Sequence, residues 1–385
     1  MPATDASSGG SAPCARAAVV GAGIWGASLA YELSSRGWQV TMVDRREPVH
    51  DRAASNAETR ILRFAHGSDR AYTELALRAG DLWRELERAT GTSLIRRCGV
   101  AWLGHRPDGF EAASYEALKE AGVDARLLAP EEGRRLFPAI DVGDLAVVLH
   151  EPGGGLISAR EAWLATVARA MKRGARLHVG DAELEEDGTT RVDGRTVDVD
   201  AVVWTIGAWL PGQLRCDVVV TRQEHACFEV DAPWRSSEIP AWIDYDLGFY
   251  GHCHVDGPRV KAGADRLGPA YDPEDGSRAP DEAKVASARS HLQRRFPGMR
   301  VGGRLSAAVC QYAVTPDTRF LLTRHPGDRS VFLLGGDSGH GFKHAPALAE
   351  VVADWIEGRR ADLASIATSG AYAPSLRTAA SPEAR

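Results

Sequence analysis

Ala17-Ala-Val-Val-Gly21-Ala-Gly23-Ile-Trp-Gly26-Ala-Ser-Leu-Ala-Tyr-Glu-Leu-Ser-Ser-Arg36-Gly37-Trp38-Gln-Val-Thr-Met-Val43-Asp44 decides the fold. An apolar run, Ala17 to Val20, predicts a strand. The glycines then open a helix that runs to Arg36 and stops at Gly37. A second apolar run, Trp38 to Val43, predicts a strand ending at Asp44. These are the parts of a dinucleotide-binding βαβ unit. Gly21 permits the tight turn, Gly23 the close approach of a pyrophosphate, and Gly26 the packing of helix on strand. The helix start offers N–H groups and a positive dipole end to phosphate. Asp44 follows Gly26 by 18 residues and can accept from both ribose hydroxyls. A glycine-rich turn in another α/β fold is the alternative.

Working outward, the chain has 385 residues, 44% apolar and 25% charged, in the range of soluble globular proteins. No apolar run reaches the roughly 20 residues that span a bilayer. Residues 1–16 are rich in Ser, Ala and Gly and lack an apolar core, so they read as a disordered tail and not as a signal peptide. The expected location is cytoplasmic, with no membrane partner. A net charge of −6 gives no basic face for nucleic acid. Of 46 Lys plus Arg, only residues 119, 172, 261, 284 and 343 are lysine. A lysine here therefore carries information, and Lys261 and Lys343 do so below. Cysteines stand at 14, 98, 216, 227, 253 and 310, with no CxxC pair. Zinc and dithiol chemistry gain no support, and no metal is expected.

The opening motif does not separate NAD from FAD. It occurs once, at the N-terminal end. The later segment Val197-Asp-Val-Asp-Ala-Val-Val-Trp-Thr-Ile-Gly207-Ala-Trp resembles the strand of FAD-binding proteins that returns beside the flavin.

Four further patches carry a more specific pattern: Thr59-Arg60-Ile-Leu-Arg63, Tyr250 to Asp265, Cys310-Gln-Tyr312 with Thr315-Pro316-Asp317, and Gly339-His-Gly341-Phe-Lys343. In this order they resemble the monomeric sarcosine oxidase family of D-amino-acid-oxidase-like flavoproteins, over residues 17 to about 365. The resemblance implies an FAD-dependent amine oxidase. It places Arg60 against the flavin and Arg63 on the substrate carboxylate. Their spacing of three predicts neighbouring positions on one helical face, and a solvated surface pair is the alternative. An Asp-Gly-Pro turn at 256–258 predicts a hairpin, whose period of two puts Lys261, Gly263 and Asp265 on one face. By resemblance Lys261 activates oxygen, Tyr250 and Tyr312 line the pocket, and Cys310 carries the flavin covalently through a thioether. Gly339 and Gly341 belong to a glycine-rich turn facing the cofactor, and Lys343 joins Arg63 on the carboxylate. A solvent-facing Lys343 is disfavoured, because a cation opposes the dipole at a helix start.

The family has a histidine where this chain has Asp265. A nikkomycin-pathway imino-acid oxidase of the same family resembles this chain in having Asp there, which points to a cyclic or unusual amino acid and to secondary metabolism. A carboxylate in the pocket favours a charged amine unless it is paired with Lys261 or protonated. His66, His252 and His254 are expected in turns or on the surface; the pocket wall is the alternative, and His66 is carried as a candidate substrate contact.

The resulting expectation is an α/β chain of α+β two-domain type, with an FAD-binding Rossmann-like domain plus a substrate domain built on an antiparallel sheet. Residues 17–90, 150–215 and 305–365 form the FAD domain. Residues 91–149 and 216–304 form the substrate domain, and 370–385 is a tail. The reaction expected is oxidation of a small carboxylate-bearing secondary amine or unusual amino acid by oxygen, giving an imine and hydrogen peroxide, by a monomer. An FAD-dependent dehydrogenase serving an electron carrier, a non-catalytic flavoprotein subunit and an NAD-dependent dehydrogenase are the alternatives.

Overall fold

The structure is a computed structural model that describes residues 14–214, 216–235, 238–254 and 257–368. Nearly all of both predicted tails lies outside these residues; Arg16, assigned to the first tail, instead opens a strand.

A six-stranded sheet runs Leu321–Arg324, Val331–Gly335, Ala201–Trp204, Arg16–Val20, Gln39–Asp44, Arg176–Val179. Five strands are parallel and the Leu321–Arg324 edge is antiparallel. Val331–Gly335 and Ala201–Trp204 are buried throughout. That is the continuous apolar reading of parallel strands covered on both faces. Helix Ile24–Ser35 packs against helices Gly341–Ile356 and Ala159–Lys172. Leu29, Leu33 and Met42 are buried in the core there, each contributing roughly 1.5–3 kcal/mol. Gly21 has φ +101°, and a Cβ on Gly26 would lie 1.8 Å from Gly21 O. The helix can therefore leave the first strand only with glycine at both positions.

A second, eight-stranded sheet runs Arg304–Val314, Val219–Glu229, Arg259–Ala264, Phe249–Cys253, Ala241–Asp244, Val100–Gly104, Val147–Glu151, Arg126–Leu128. All pairs are antiparallel except Ala241–Asp244 with Val100–Gly104. Helix Glu282–Arg295 covers part of it, its start capped by the Asp281 side chain accepting from Ala283 N. Val285, Leu292 and Phe296 bury the helix's apolar stripe. The predicted hairpin is present as Phe249–Cys253 and Arg259–Ala264; Asp256 of its turn lies outside the described residues.

Two expectations differ from the structure. The expected FAD segment 305–365 begins inside the strand Arg304–Val314, whose 11 residues pair along Val219–Glu229 in the second sheet. One long strand thus crosses the expected boundary. Thr59–Leu62 is a strand paired with Gly155–Ser158 and not a helix, so Arg60 and Arg63 do not share a helical face. Their spacing of three is ambiguous on its own, and pairing to a distant strand settled it. No helix among the described residues is long and apolar enough to cross a membrane.

Candidate active site

A cleft opens at the carboxyl ends of the parallel strands. Gly21, Gly23, Asp44, Thr205, Gly335, Asp337, Gly339 and Gly341 line it. Gly26 is not in its wall and acts by letting the helix approach. The N-cap of helix Ile24–Ser35 is Gly23, which has no side chain to cap the first turn. Ile24 N donates to Ser55 Oγ at 3.0 Å, and the remaining N–H groups of that turn point where a pyrophosphate would lie. Asp44 Oδ2 accepts from Ala22 N at 2.8 Å and Oδ1 from Arg46 N at 3.0 Å, which fixes the carboxylate at the strand end. At Gly339 φ is +78°, and a Cβ would lie 2.5 Å from the Tyr312 ring. Any larger residue there would fill the cleft. The residues present fit FAD.

A second cavity adjoins the first. Arg60, Cys310, Tyr312, Gly339 and Phe342 line both. Arg60 is held by Thr59 O at 3.0 Å and Ala54 O at 2.7 Å, with its guanidinium 5.7 Å from the Phe342 ring centroid. Cys310 Sγ lies 4.0 Å from Arg60 Nη2.

The hairpin supplies one wall. Tyr250 pairs with Gly263 and His252 with Lys261, so Tyr250, His252, Lys261 and Asp265 all reach the cavity. Lys261 is 4% exposed, and its Nζ is 3.4 Å from both oxygens of Thr59. Burial, helped by the Arg60 charge, lowers its pKa to about 8. Burial likewise raises the Tyr250 and Tyr312 hydroxyls above their ordinary range.

Asp265 is exposed into the cavity and accepts from Tyr312 Oη at 3.2 Å. The protein packed around it raises its pKa, against the opposing pull of Arg63, Tyr312 and Lys343. The hydrogen-bond partner of this pocket carboxylate is Tyr312 and not Lys261.

Arg63 and Lys343 also line this cavity. Arg63 lies 5.0 Å from the Trp102 ring centroid and donates to Ala65 O at 2.6 Å. Lys343 is 3% exposed and donates to His340 O at 3.1 Å. Burial, and then the Arg63 charge, hold its pKa well below the usual lysine range.

Behind them lies Glu151, which sequence reasoning missed. It is 0% exposed and does not line the cavity. Its Oε2 accepts from Phe64 N at 2.7 Å and Ala65 N at 3.1 Å, and its Oε1 from Trp102 Nε1 at 2.6 Å. Glu151 therefore fixes both the turn that carries Arg63 and the ring on which Arg63 rests. No local signal marks a single acid ending the apolar strand Val147–Glu151.

The histidines also differ from expectation. His66 is absent from the cavity wall and packs with His340 and His344 instead, so its candidacy as a substrate contact is corrected. His252 and His254 are buried rather than in turns or on the surface, and His252 lines the cavity with Nε2 2.8 Å from Thr59 Oγ1. Burial keeps His66, His340 and His344 neutral at ordinary pH.

Against known proteins, the family described as FAD dependent oxidoreductase, DAO, matches residues 16–355. A monomeric sarcosine oxidase of Streptomyces avermitilis is 33% identical over 355 residues, covering 87% of this chain and 92% of the relative. An N-methyl-L-tryptophan oxidase of Yersinia pestis is 28% identical over 356 residues, covering 87% and 93%. Among solved structures, L-proline dehydrogenase from P. horikoshii superposes with TM-score 0.79 at 22% identity, covering 91% of this chain and 96% of that one. NikD, an unusual amino acid oxidase essential for nikkomycin biosynthesis, gives 0.76 at 20% identity, covering 94% and 99%.

Proposed function

Because this chain belongs to the DAO family of FAD-dependent oxidoreductases, we propose that it oxidises a carboxylate-bearing secondary amine or a cyclic or unusual amino acid to an imine, with oxygen as acceptor and hydrogen peroxide as product. The family membership sets aside the NAD-dependent alternative. The observation that supports the finer reading is the meeting of the two cavities at Arg60, Cys310, Tyr312, Gly339 and Phe342. A redox ring in the first cavity would there face a substrate in the second.

Bound FAD supplies a two-electron acceptor for the hydride equivalent on the carbon beside nitrogen. The chain's own residues set up that transfer. Cys310, at the junction, is the proposed thioether tether. Arg63 and Lys343 hold the substrate carboxylate by charge-assisted contacts and so fix the reacting carbon. The reactive amine is neutral, since its lone pair must form the new C=N bond. The surrounding Arg60, Arg63, Lys261 and Lys343 disfavour an ammonium, and the Asp265–Tyr312 pair provides a place for the displaced proton. Lys261 presents, below about pH 8, the positive charge on which oxygen reduction draws. We place the enzyme in the cytoplasm as a monomer, with no nucleic-acid or membrane partner.

A panel of N-methyl, cyclic and aromatic amino acids, assayed aerobically for peroxide, tests the reading. Peroxide from at least one carboxylate-bearing amine is expected. Bleaching of the yellow colour by an amine without peroxide would replace it with a dehydrogenase, and no bleaching by any amine would replace it with a non-catalytic flavoprotein.

A further inference from the structure

Three histidines that the proposed chemistry leaves unused converge beside the substrate cavity. His340 is the N-cap of helix Gly341–Ile356, and His344 stands one turn further on. Residues four apart share a helix face, the spacing by which paired histidines hold zinc. His66 arrives from the turn that follows the strand Thr59–Leu62. One nitrogen from each lies within 4.8 Å of one from each of the others. The ring centroids are 5.0 Å apart for His66–His344, 5.8 Å for His66–His340 and 5.7 Å for His340–His344.

The hydrogen bonding orients these rings for a ligand. His340 Nε2 is 2.9 Å from Thr318 O. A carbonyl only accepts, so Nε2 carries the hydrogen and Nδ1 keeps its lone pair. That Nδ1 is buried and has no protein partner, as are His66 Nε2 and both nitrogens of His344. A buried polar atom left unpaired costs about 1–3 kcal/mol, and here four such atoms gather in one place. A ring whose far N–H is anchored on a backbone carbonyl is the usual support of a metal-bound histidine. Tyr72 and Phe320 pack round the cluster and restrict its rotamers.

We propose that His66, His340 and His344 form a binding site for one divalent transition ion of the zinc class. Three imidazoles and no carboxylate suit such an ion and not magnesium or calcium, which require oxygen. Tetrahedral coordination at 2.0–2.1 Å needs nitrogens roughly 3.3 Å apart, a contraction that small side-chain rotations supply. Lys343 and Arg63 place positive charge nearby, so the ion takes an anion, hydroxide, chloride or a carboxylate, in its fourth position. His340 lines the substrate cavity and gives the ion its way in.

The test uses purified, flavin-loaded enzyme, freed of metal with a chelator and dialysed against micromolar zinc chloride. Elemental analysis then gives zinc per flavin. One zinc per chain is expected. His344→Gln should lower its affinity at least about 100-fold while leaving flavin content and amine oxidation by the zinc-free protein as in wild type. His66→Gln should act likewise, and it decides the matter if His344→Gln does not fold. Wild type that retains no zinc, or either folded variant retaining as much as wild type, overturns the site.

Discussion

Trp102 Nε1 donates to Glu151 Oε1 across 2.6 Å, and the face of the same ring lies 5.0 Å from the Arg63 guanidinium. A fully buried carboxylate thereby fixes the platform under an arginine that lines the second cavity, and it balances part of that charge. Glu151→Gln keeps the volume but turns an acceptor into a donor facing Phe64 N, Ala65 N or Trp102 Nε1. It should destabilise the fold by about 1–3 kcal/mol and raise KM for a carboxylate substrate by about 10–100-fold, with a smaller effect on kcat. The methyl ester of the same substrate should show no such KM change. Equal changes for acid and ester would mean that Glu151 serves the fold alone.

Lys343→Met should weaken carboxylate binding by about 1.5–3 kcal/mol, the range for hydrogen bonds to charged groups. That corresponds to KM rising roughly 10–150-fold. Competitive inhibition by simple carboxylates should weaken in parallel. Unchanged inhibition would leave Arg63 as the carboxylate's sole anchor.

Lys261 is the residue for which the pH dependence has a definite sign. Its pKa is lowered to about 8 by burial and by Arg60, so it is charged below pH 8 and neutral above. Reoxidation of reduced enzyme by oxygen should therefore slow as pH rises through 8, while anaerobic reduction by substrate need not follow. Lys261→Met should slow reoxidation roughly 10²–10³-fold, as when one preorganised electrostatic group is removed, and should abolish the step near pH 8. Stopped-flow reoxidation across pH decides it; a flat profile in wild type refutes the role.

Asp265 titrates above the ordinary carboxyl range because the protein packed around the cavity outweighs Arg63 and Tyr312. If its carboxylate takes the amine proton, kcat/KM should lose activity as pH falls through that raised pKa, and Asp265→Asn should remove this acid limb. The variant should also reorder preference across an amine panel. Identical profiles and rank order would make Asp265 a bystander.

What the sequence made legible was local. The strand, glycine turn and helix around Gly21 carry their own signature, and the hairpin at 256–258 is announced by turn chemistry and period two. The Arg60 and Arg63 neighbourhood was misread as helical because three-residue spacing is shared by a helix face and a strand end, and only pairing with Gly155–Ser158 distinguishes them. The Glu151 role was out of reach, since its partners Phe64 and Ala65 lie 87 and 86 residues away. The histidine cluster likewise joins His66 to residues near the opposite end of the fold's sequence. The raised pKa of Asp265 depends on the fold packed around the cavity, which no motif encodes.

The central claim is that a flavin ring lies where the two cavities meet, joined to Cys310. Acid precipitation of the purified protein, followed by proteolysis and mass spectrometry of the pellet, tests it most directly. Yellow colour should remain with the protein, and the peptide containing Cys310 should carry the mass of the flavin. Colour released wholly into the supernatant, or flavin found on a peptide without Cys310, would contradict it.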